Sequence, residues 1–379
     1  MASDEVDMAK SNPNKLPLQQ PTLPWRTTSS AVMGLTAALF RGFLYGFNSV
    51  EVVGLERFLD ILDKRKDVEQ RQRGLITVSN HISVLDDPMM WGVLPLRYAF
   101  NPSNFRWSLG AHDICFKNKF LASFFSSGQV LPTHRLQYSP HGGLFQPTIP
   151  QAIRLLSSQP FVSPTPAPPE ESHDIPDPFT SGGLTFTTTG ADRYVAPSAY
   201  ARNRHSWVHV FPEGCVHQHP KLYLRYFKWG VSRMILESEP VPDVLPLFID
   251  GTQRIMPEGR AWPRFLPRCR VQLRVAFGEL LDAEERFGDL RARWRDLVRE
   301  QKRTLAVGEL TDELKYGREA VDLRIEVARR VRDEIIKVRR GLGYEDEEPG
   351  FELAETWARE PGTDKYKSNV DDGWVNKRE

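Results

Sequence analysis

In the run Ile76-Thr-Val-Ser-Asn-His-Ile-Ser-Val-Leu-Asp-Asp-Pro88, an imidazole (His81) and a carboxylate (Asp86) stand five residues apart. On one continuous helix of roughly 3.6 residues per turn, such positions point about 140° apart and do not meet. In a strand-to-helix turn they can. The apolar run Gly74–Asn80 reads as a short buried strand, and Pro88 suits the first position of a helix with Asp87 as its cap. His81 then lies in the turn and Asp86 just before the helix. A carboxylate on one ring nitrogen fixes the tautomer and supports the imidazolium, leaving the other nitrogen to take a proton from an alcohol. If the nucleophile is the substrate's own hydroxyl, no protein serine is needed. Taken alone, a His-x4-Asp spacing is more often a hydrogen-bonded strand-end histidine beside a capping aspartate. Three other segments bear on the choice.

Ser126–Arg135 (SSGQVLPTHR) is strand-like and ends on Arg135, whose guanidinium can grip a phosphate with two bonds; alone, it is an ordinary surface arginine. Trp207–Gly214 (WVHVFPEG) carries a buried strand into a Pro-Glu-Gly turn. There Glu213 is presented where α/β ligand sites lie, either to a substrate hydroxyl or as a brace for the loop. Val244–Gly259 is an apolar strand with a polar turn after it, either the wall of an acyl groove or a plain core strand.

Stepping out from these blocks, β-branched apolar runs at 207–211, 244–249 and 271–277 alternate with helical patterns at 88–96, 117–127, 147–158 and 222–238, which argues an α/β architecture. Residues 1–25 are polar and Pro-rich and read as disordered; 26–50 form a membrane-associating segment. Within it, Ala31–Val50 has spanning length but holds Arg41 near its middle, where a charge costs at least about 2.5 kcal/mol. A helix lying in the interface is favoured over a full span or a soluble core helix. The main domain covers 51–281, broken by a Pro-, Ser- and acid-rich inserted loop at 159–205. Residues 282–342 are charge-laced and helical, a solvated face over a core stripe rather than a membrane-binding surface, and 343–379 read as a flexible tail.

The His-x4-Asp, Gly-to-Arg, Phe-Pro-Glu-Gly and Val244–Gly259 blocks, in this order, resemble the glycerolipid acyltransferase family of lysophosphatidate and glycerol-phosphate acyltransferases. That resemblance implies a mixed β-sheet flanked by helices, His81 and Asp86 as the catalytic pair, and Arg135, Glu213 and Gly214 on the phosphorylated acceptor. VSNHISVLDDP, AHDICF (111–116), GQVLPTHR, WVHVFPEG, LRYFKWGVSRMI (224–235), VLPLFIDG and SSAVMGL (29–35) are closer to one branch, which moves acyl chains between phospholipids and remodels cardiolipin. The likeness covers roughly residues 24–280 apart from the insert. It implies phosphatidylcholine, cardiolipin and their lyso forms as substrates. It also implies no acyl-CoA or other cofactor, and a peripheral place on mitochondrial membranes facing the intermembrane space. Members commonly carry Lys after Phe-Pro-Glu-Gly, where this chain has Cys215; Arg225 and Lys228 are the candidates to supply that charge.

Composition excludes other classes. Among 379 residues, Lys plus Arg is 50 and Asp plus Glu is 49, a net charge of +1 without a nucleic-acid footprint. Three scattered cysteines make neither a disulfide framework nor a cysteine zinc site. His205, His209, His217 and His219 cluster in sequence, but alcohol acyl transfer needs no metal, and none is expected. The acidic start MASDEVDMAK has neither signal-peptide nor transit-peptide character. No GxSxG elbow and no GxxxxGK[ST] loop occur. Two alternatives stay open: an acyl-CoA-dependent lysophospholipid acyltransferase using the same pair, and a catalytically inactive lipid-binding scaffold.

Overall fold

The structure, a computed structural model, describes residues 22–136, 138–158, 205–301 and 309–358, with Leu305 and short pieces between 185 and 195. Seven strands form one mixed sheet: β1 (Ser49–Val53), β2 (Leu75–Val78), β3 (Trp107–Ala111), β4 (Val130–Thr133), β7 (Trp207–Val210), β8 (Asp243–Asp250) and β9 (Gln272–Phe277), in the order β1-β9-β8-β2-β7-β3-β4. β5 (Thr185–Phe186) and β6 (Tyr194–Val195) make a separate antiparallel ladder within the insert. From β8 to β4 neighbouring strands run parallel; β9 is antiparallel to β8, and β1 is parallel to β9. β2 is buried at all four positions between β7 and β8, as its unbroken Leu-Ile-Thr-Val run requires of a strand covered on both faces. The mixed α/β sheet read from the sequence is what the chain forms.

Helices in chain order are α1 (Leu23–Phe47), α2 (Leu55–Lys64), α3 (Asp86–Gly92), α4 (Leu96–Ala99), α5 (His112–Cys115), α6 (Lys119–Ser127), α7 (Thr148–Leu156), α8 (Gly230–Glu237), α9 (Thr252–Ile255), α10 (Ala283–Glu300), α11 (Asp312–Tyr316), α12 (Arg318–Gly341) and α13 (Ala354–Ala358). Several expectations shift. Only 230–237 of the pattern at 222–238 is helical. Residues 23–25, expected to be disordered, begin α1, while 1–21 lie outside the described residues. Most of the insert at 159–205 also lies outside them.

α12 buries Leu323, Val327, Val331 and Ile335 in the core, and Arg318, Asp322 and Arg329 face solvent as its periodicity implies, but Arg324, Arg332 and Arg339 are buried. The tail beginning at Gly343 is not a loose appendage as far as Ala358. Tyr344 Oη donates to Asp250 at 2.6 Å, Glu347 accepts from Leu224 N at 2.5 Å and from Arg332, and Trp357 is buried. Its acidic side chains meet cationic and N–H groups that only the fold brings near. Residues 359–379 lie outside the described residues.

Within the apolar stretch of α1 stands Arg41, whose place decides how the helix sits. Its Nη1 donates to the carbonyls of Gly92, Val93 and Leu94 at 3.3, 2.9 and 3.2 Å, satisfying the end of α3. Ser29 Oγ donates to Ser127 O at 2.6 Å, and Met33, Ala37 and Leu44 are buried against the domain. Leu35, Leu39, Tyr45 and Phe47 face outward. α1 is therefore one-faced: it is long and apolar enough to cross a membrane, yet it is docked along the protein. Charged hydrogen bonds are worth about 1.5–3 kcal/mol each in favourable cases, less when several share one donor. Arg41→Ala is therefore expected to lower stability by about 2 kcal/mol in chemical denaturation of the purified chain; an unchanged midpoint would remove Arg41 from this role.

Candidate active site

β2, β7, β8, β3 and β4 all end at one edge of the sheet, and the chemistry-bearing residues follow those ends. After β2 the chain must turn sharply while leaving the sheet. Asn80 holds it there: its side-chain amide donates to Ile249 O at 2.9 Å and accepts from Ile249 N at 2.8 Å, continuing the ladder to β8 through a side chain. His81 follows, about one-fifth exposed.

Asp86 is fully buried. Its Oδ2 accepts from Ile82 N at 2.6 Å, Ser83 N at 2.8 Å and His81 Nδ1 at 2.9 Å, and its Oδ1 accepts from Thr252 Oγ1. Four donors meet the acceptor sites of this carboxylate, so its burial leaves neither oxygen unpaired. Oδ2 already accepts from two backbone N–H groups and so accepts from His81 as well, which puts the hydrogen on Nδ1 and leaves the lone pair on Nε2. Among the described residues, nothing bonds Nε2. Phe211 stacks on the imidazole at 4.2 Å between centroids, fixing the ring plane. Asp86 begins α3 rather than preceding it, and Asp87 is not the cap: it accepts from Trp91 Nε1 and Arg106 Nε, both at 3.0 Å, and pairs with Arg106 Nη2. Burial raises the Asp87 carboxyl, but the Arg106 guanidinium outweighs it and holds the group below its usual range.

Glu213, expected at a substrate hydroxyl, turns inward. Its Oε1 accepts from His81 N at 2.8 Å and its Oε2 from Arg225 N at 3.0 Å, with only 2% of the residue exposed. It acts as the brace the sequence left open, clamping the backbone of the His81 turn to the irregular segment at 225. His217 N donates to His81 O at 2.7 Å, closing the same turn. Arg225, expected to supply headgroup charge, is buried with its guanidinium over Trp357 at 4.8 Å. Gly214 has φ +65°, and a Cβ there would fall 2.6 Å from Lys228 Cδ and Cε and 2.9 Å from Nζ. So Lys228 lies across Gly214, and its ammonium stands at the Phe-Pro-Glu-Gly turn beside half-buried Cys215. Arg135 closes β4 and pairs with Asp113 through Nε (3.0 Å) and Nη2, a third exposed. It stands three strands from β2, about 14 Å across the sheet at roughly 4.8 Å per strand.

Sequence reasoning missed Thr252, Phe211, Asp113 and Asn80. Thr252 had a signal, since it follows β8 in a polar Asp-Gly-Thr turn; the others depend on strand neighbours that no local pattern reveals. β8 is buried along Val244–Ile249, a central core strand.

His209 lies under the site, with Nδ1 2.9 Å from Thr77 Oγ1. No convergent metal-ligand group includes His205, His209, His217 or His219 among the described residues. Among the described residues a group that converges lies elsewhere: His112, His134 and Asp192 bring one ligand atom each within 4.8 Å. There His134 Nε2 is 2.7 Å from Thr188 Oγ1, and Asp192 accepts from Thr188 N at 2.7 Å and Thr189 N at 2.9 Å. Those bonds join part of the insert to the end of β4.

No family model matches the chain. It is 36% identical over 371 residues to the Saccharomyces cerevisiae protein named tafazzin, covering 93% of this chain and 90% of that one. The chain belongs to the tafazzin family. The Drosophila melanogaster tafazzin is 30% identical over 276 residues, 73% of this chain and 57% of its own. An Arabidopsis thaliana N-acylphosphatidylethanolamine synthase is 30% identical over 219 residues, 57% of this chain and 59% of its own. A solved 1-acyl-sn-glycerophosphate (LPA) acyltransferase, PlsC, from Thermotoga maritima matches loosely: TM-score 0.34, 17% identity, 73% of this chain and 81% of that one. As a member of the tafazzin family, the chain is an acyltransferase acting on phospholipids and lysophospholipids.

The buried histidines set a pH dependence. Burial pushes His209 and His217 down to about 3 and His134 down to about 4. All three titrate near 6.5 in the unfolded chain, so the stability they contribute is lost as pH falls below about 6.5. Glu213 runs the other way: burial raises it to about 7 from 4.5, so its contribution grows on acidification from about 7 to 4.5. Burial also lowers His219 and raises Asp243 and Glu258, and the depressed imidazoles outweigh the raised carboxyls. The thermal midpoint is expected to drop by several degrees between pH 7 and pH 5, measured by scanning calorimetry; a flat or rising midpoint would contradict neutral buried histidines.

Proposed function

We propose that this enzyme transfers a fatty acyl chain directly from one phospholipid to the hydroxyl of a lysophospholipid without CoA, with monolysocardiolipin as acceptor and phosphatidylcholine as a donor. The observation that carries the reading is His81 held through Nδ1 on a buried, fully bonded Asp86 while Nε2 has no protein partner among the described residues. Nε2 takes the proton of the acceptor hydroxyl as its oxygen attacks the donor ester carbonyl. The tetrahedral intermediate collapses, the donor's glycerol oxygen leaves, and it receives the proton back from His81. Each turn therefore consumes one lysophospholipid and releases another, which needs no cofactor. Asp86 orients the ring and stabilises the imidazolium, and Thr252 and the Ile82 and Ser83 amides hold Asp86. Because those two amides are engaged by Asp86, they are not the donors for the oxyanion.

Arg135, with part of its guanidinium exposed, and Lys228, with its ammonium at Gly214, are the cations that meet the acceptor phosphate. Lys228 thereby replaces in space the charge missing at Cys215. Glu213 and Arg225 serve the site through the backbone. We infer a peripheral site of action on mitochondrial membranes, facing the intermembrane space; likeness to tafazzin supports the mitochondrial association, and the one-faced apolar helix α1 supports the membrane contact.

The test incubates purified protein, lysocardiolipin and labelled phosphatidylcholine in liposomes free of CoA. Label is expected in cardiolipin. His81→Ala is expected to abolish its appearance, Asp86→Asn to cut it by about 10³-fold or more, and Thr252→Val by about tenfold with binding little changed. Transfer only after acyl-CoA is added would sink the CoA-free reading. Labelled amide on added phosphatidylethanolamine, with none in cardiolipin, would move the acceptor from a hydroxyl to an amine.

A further inference from the structure

The most exposed large apolar side chains off α1 include a set gathered in one loop. Between α9 and β9, Trp262, Phe265 and Leu266 are 85%, 72% and 55% exposed. Burying such side chains is favourable, so three of them held in water within five residues is a cost. The loop does not fold them in, because it is braced from inside. Arg260 Nη1 donates to Pro257 O at 2.8 Å, Arg264 Nη2 to Glu258 O at 3.0 Å, and Leu266 N to Pro263 O at 3.2 Å.

Its two roots connect it to elements already described. At the first, Glu258 N donates to Gln218 Oε1 at 2.9 Å, and Gln218 Nε2 donates to Ile82 O at 2.8 Å, beside His81. At the second, Arg270 N donates to Phe47 O at 2.8 Å, the last residue of α1. The outward face of α1, with Leu39, Tyr45 and Phe47, thus leads toward the loop. From Pro257 to Val271 there are four arginines, at 260, 264, 268 and 270, against one acid, Glu258. Tryptophan beside arginines and aliphatic side chains is the composition that settles at the headgroup boundary of a lipid bilayer, and basic residues favour anionic lipid.

We propose that Pro257–Val271 is a membrane-inserting loop that places Trp262, Phe265 and Leu266 in the headgroup–acyl boundary of an anionic phospholipid bilayer. With the outward face of α1 it forms a two-point seat, and the Gln218 link turns the mouth of the His81 site toward that bilayer, so that a donor lipid reaches it without leaving the leaflet. The inference rests on the chain being a lipid acyltransferase only for this consequence; the contact itself is read by binding alone.

The full chain is floated with vesicles of phosphatidylcholine, with and without an anionic phospholipid, and its acyl transfer is measured both on vesicle lipid and on monomeric short-chain substrates. Trp262→Ser, Phe265→Ser and Leu266→Ser together are expected to weaken partition about tenfold or more. Transfer on vesicles should fall with it, and turnover of monomeric substrate should stay unchanged. Arg264→Glu with Arg268→Glu should weaken binding to anionic vesicles and leave binding to phosphatidylcholine vesicles alone. Unchanged partition of the triple variant overturns the proposal, as does an equal loss on monomeric substrate, which would make the loop part of the active site. A self-associated chain whose dimer the triple variant abolishes, with vesicle binding intact, would give the surface to a second copy instead. If wild type transfers no acyl group on either substrate, the transacylase reading fails while flotation still decides the contact.

Discussion

A carboxylate removed from water must be met by donors from several directions, and that requirement at Asp86 organises this molecule. Two donors are amides of the turn after β2, one is His81, and the fourth is Thr252 at the end of β8. The turn can close only if β2 and β8 lie side by side, which the parallel register and the Asn80 bridge to Ile249 provide. The same carboxylate thus fixes the turn's backbone and the tautomer of His81. Reactivity and local fold are one set of hydrogen bonds.

The second layer of support comes from far along the chain. Glu213 clamps His81 to the Arg225 segment, and that segment is itself held by α12: Arg332 Nε donates to Arg225 O at 3.0 Å, and Arg339 Nε to Leu222 O at 3.1 Å. Glu347 then ties Leu224 N to Arg332. The charged C-terminal helix, whose sequence reads as a solvated face, therefore also sends guanidiniums inward to an irregular segment whose carbonyls have no strand partner. α1 does the corresponding work on the other side, where Arg41 ends α3. A residue that is expensive inside a bilayer is used here as a cap, which explains a helix of spanning length docked along the domain.

How much was legible divides by sequence distance. The buried strands 75–78, 207–210, 243–250 and 272–277 announce themselves by unbroken β-branched and apolar runs, and the His81-to-Asp86 spacing by the turn it implies. β1 and β3 did not: Ser49–Val53 merges with the apolar segment before it, and Trp107–Ala111 carries serine and glycine in place of a clear period. For Glu213 the sequence left substrate contact and a loop brace open, and for Arg225 residue type alone suggested ligand contact; the structure buries both and gives both Glu213 oxygens to backbone amides. Whether a carboxylate bonds a hydroxyl or two amides depends on which backbone lies within 3 Å.

By itself, then, the sequence determined the α/β alternation, the turn that joins His81 to Asp86, and the order of blocks that marks the acyltransferase family, because each is written within a dozen or so residues where propensity and spacing act. The tertiary structure decided the rest. It set Thr252 on Asp86, turned Glu213 inward, laid Lys228 over Gly214, paired Arg135 with Asp113 and brought α12 and residues 343–358 onto the Phe-Pro-Glu-Gly block. The physical reason is that hydrogen bonds and ion pairs act over about 3–4 Å. Their partners lie from about 10 to more than 160 residues apart, and only the sheet order brings them within that reach.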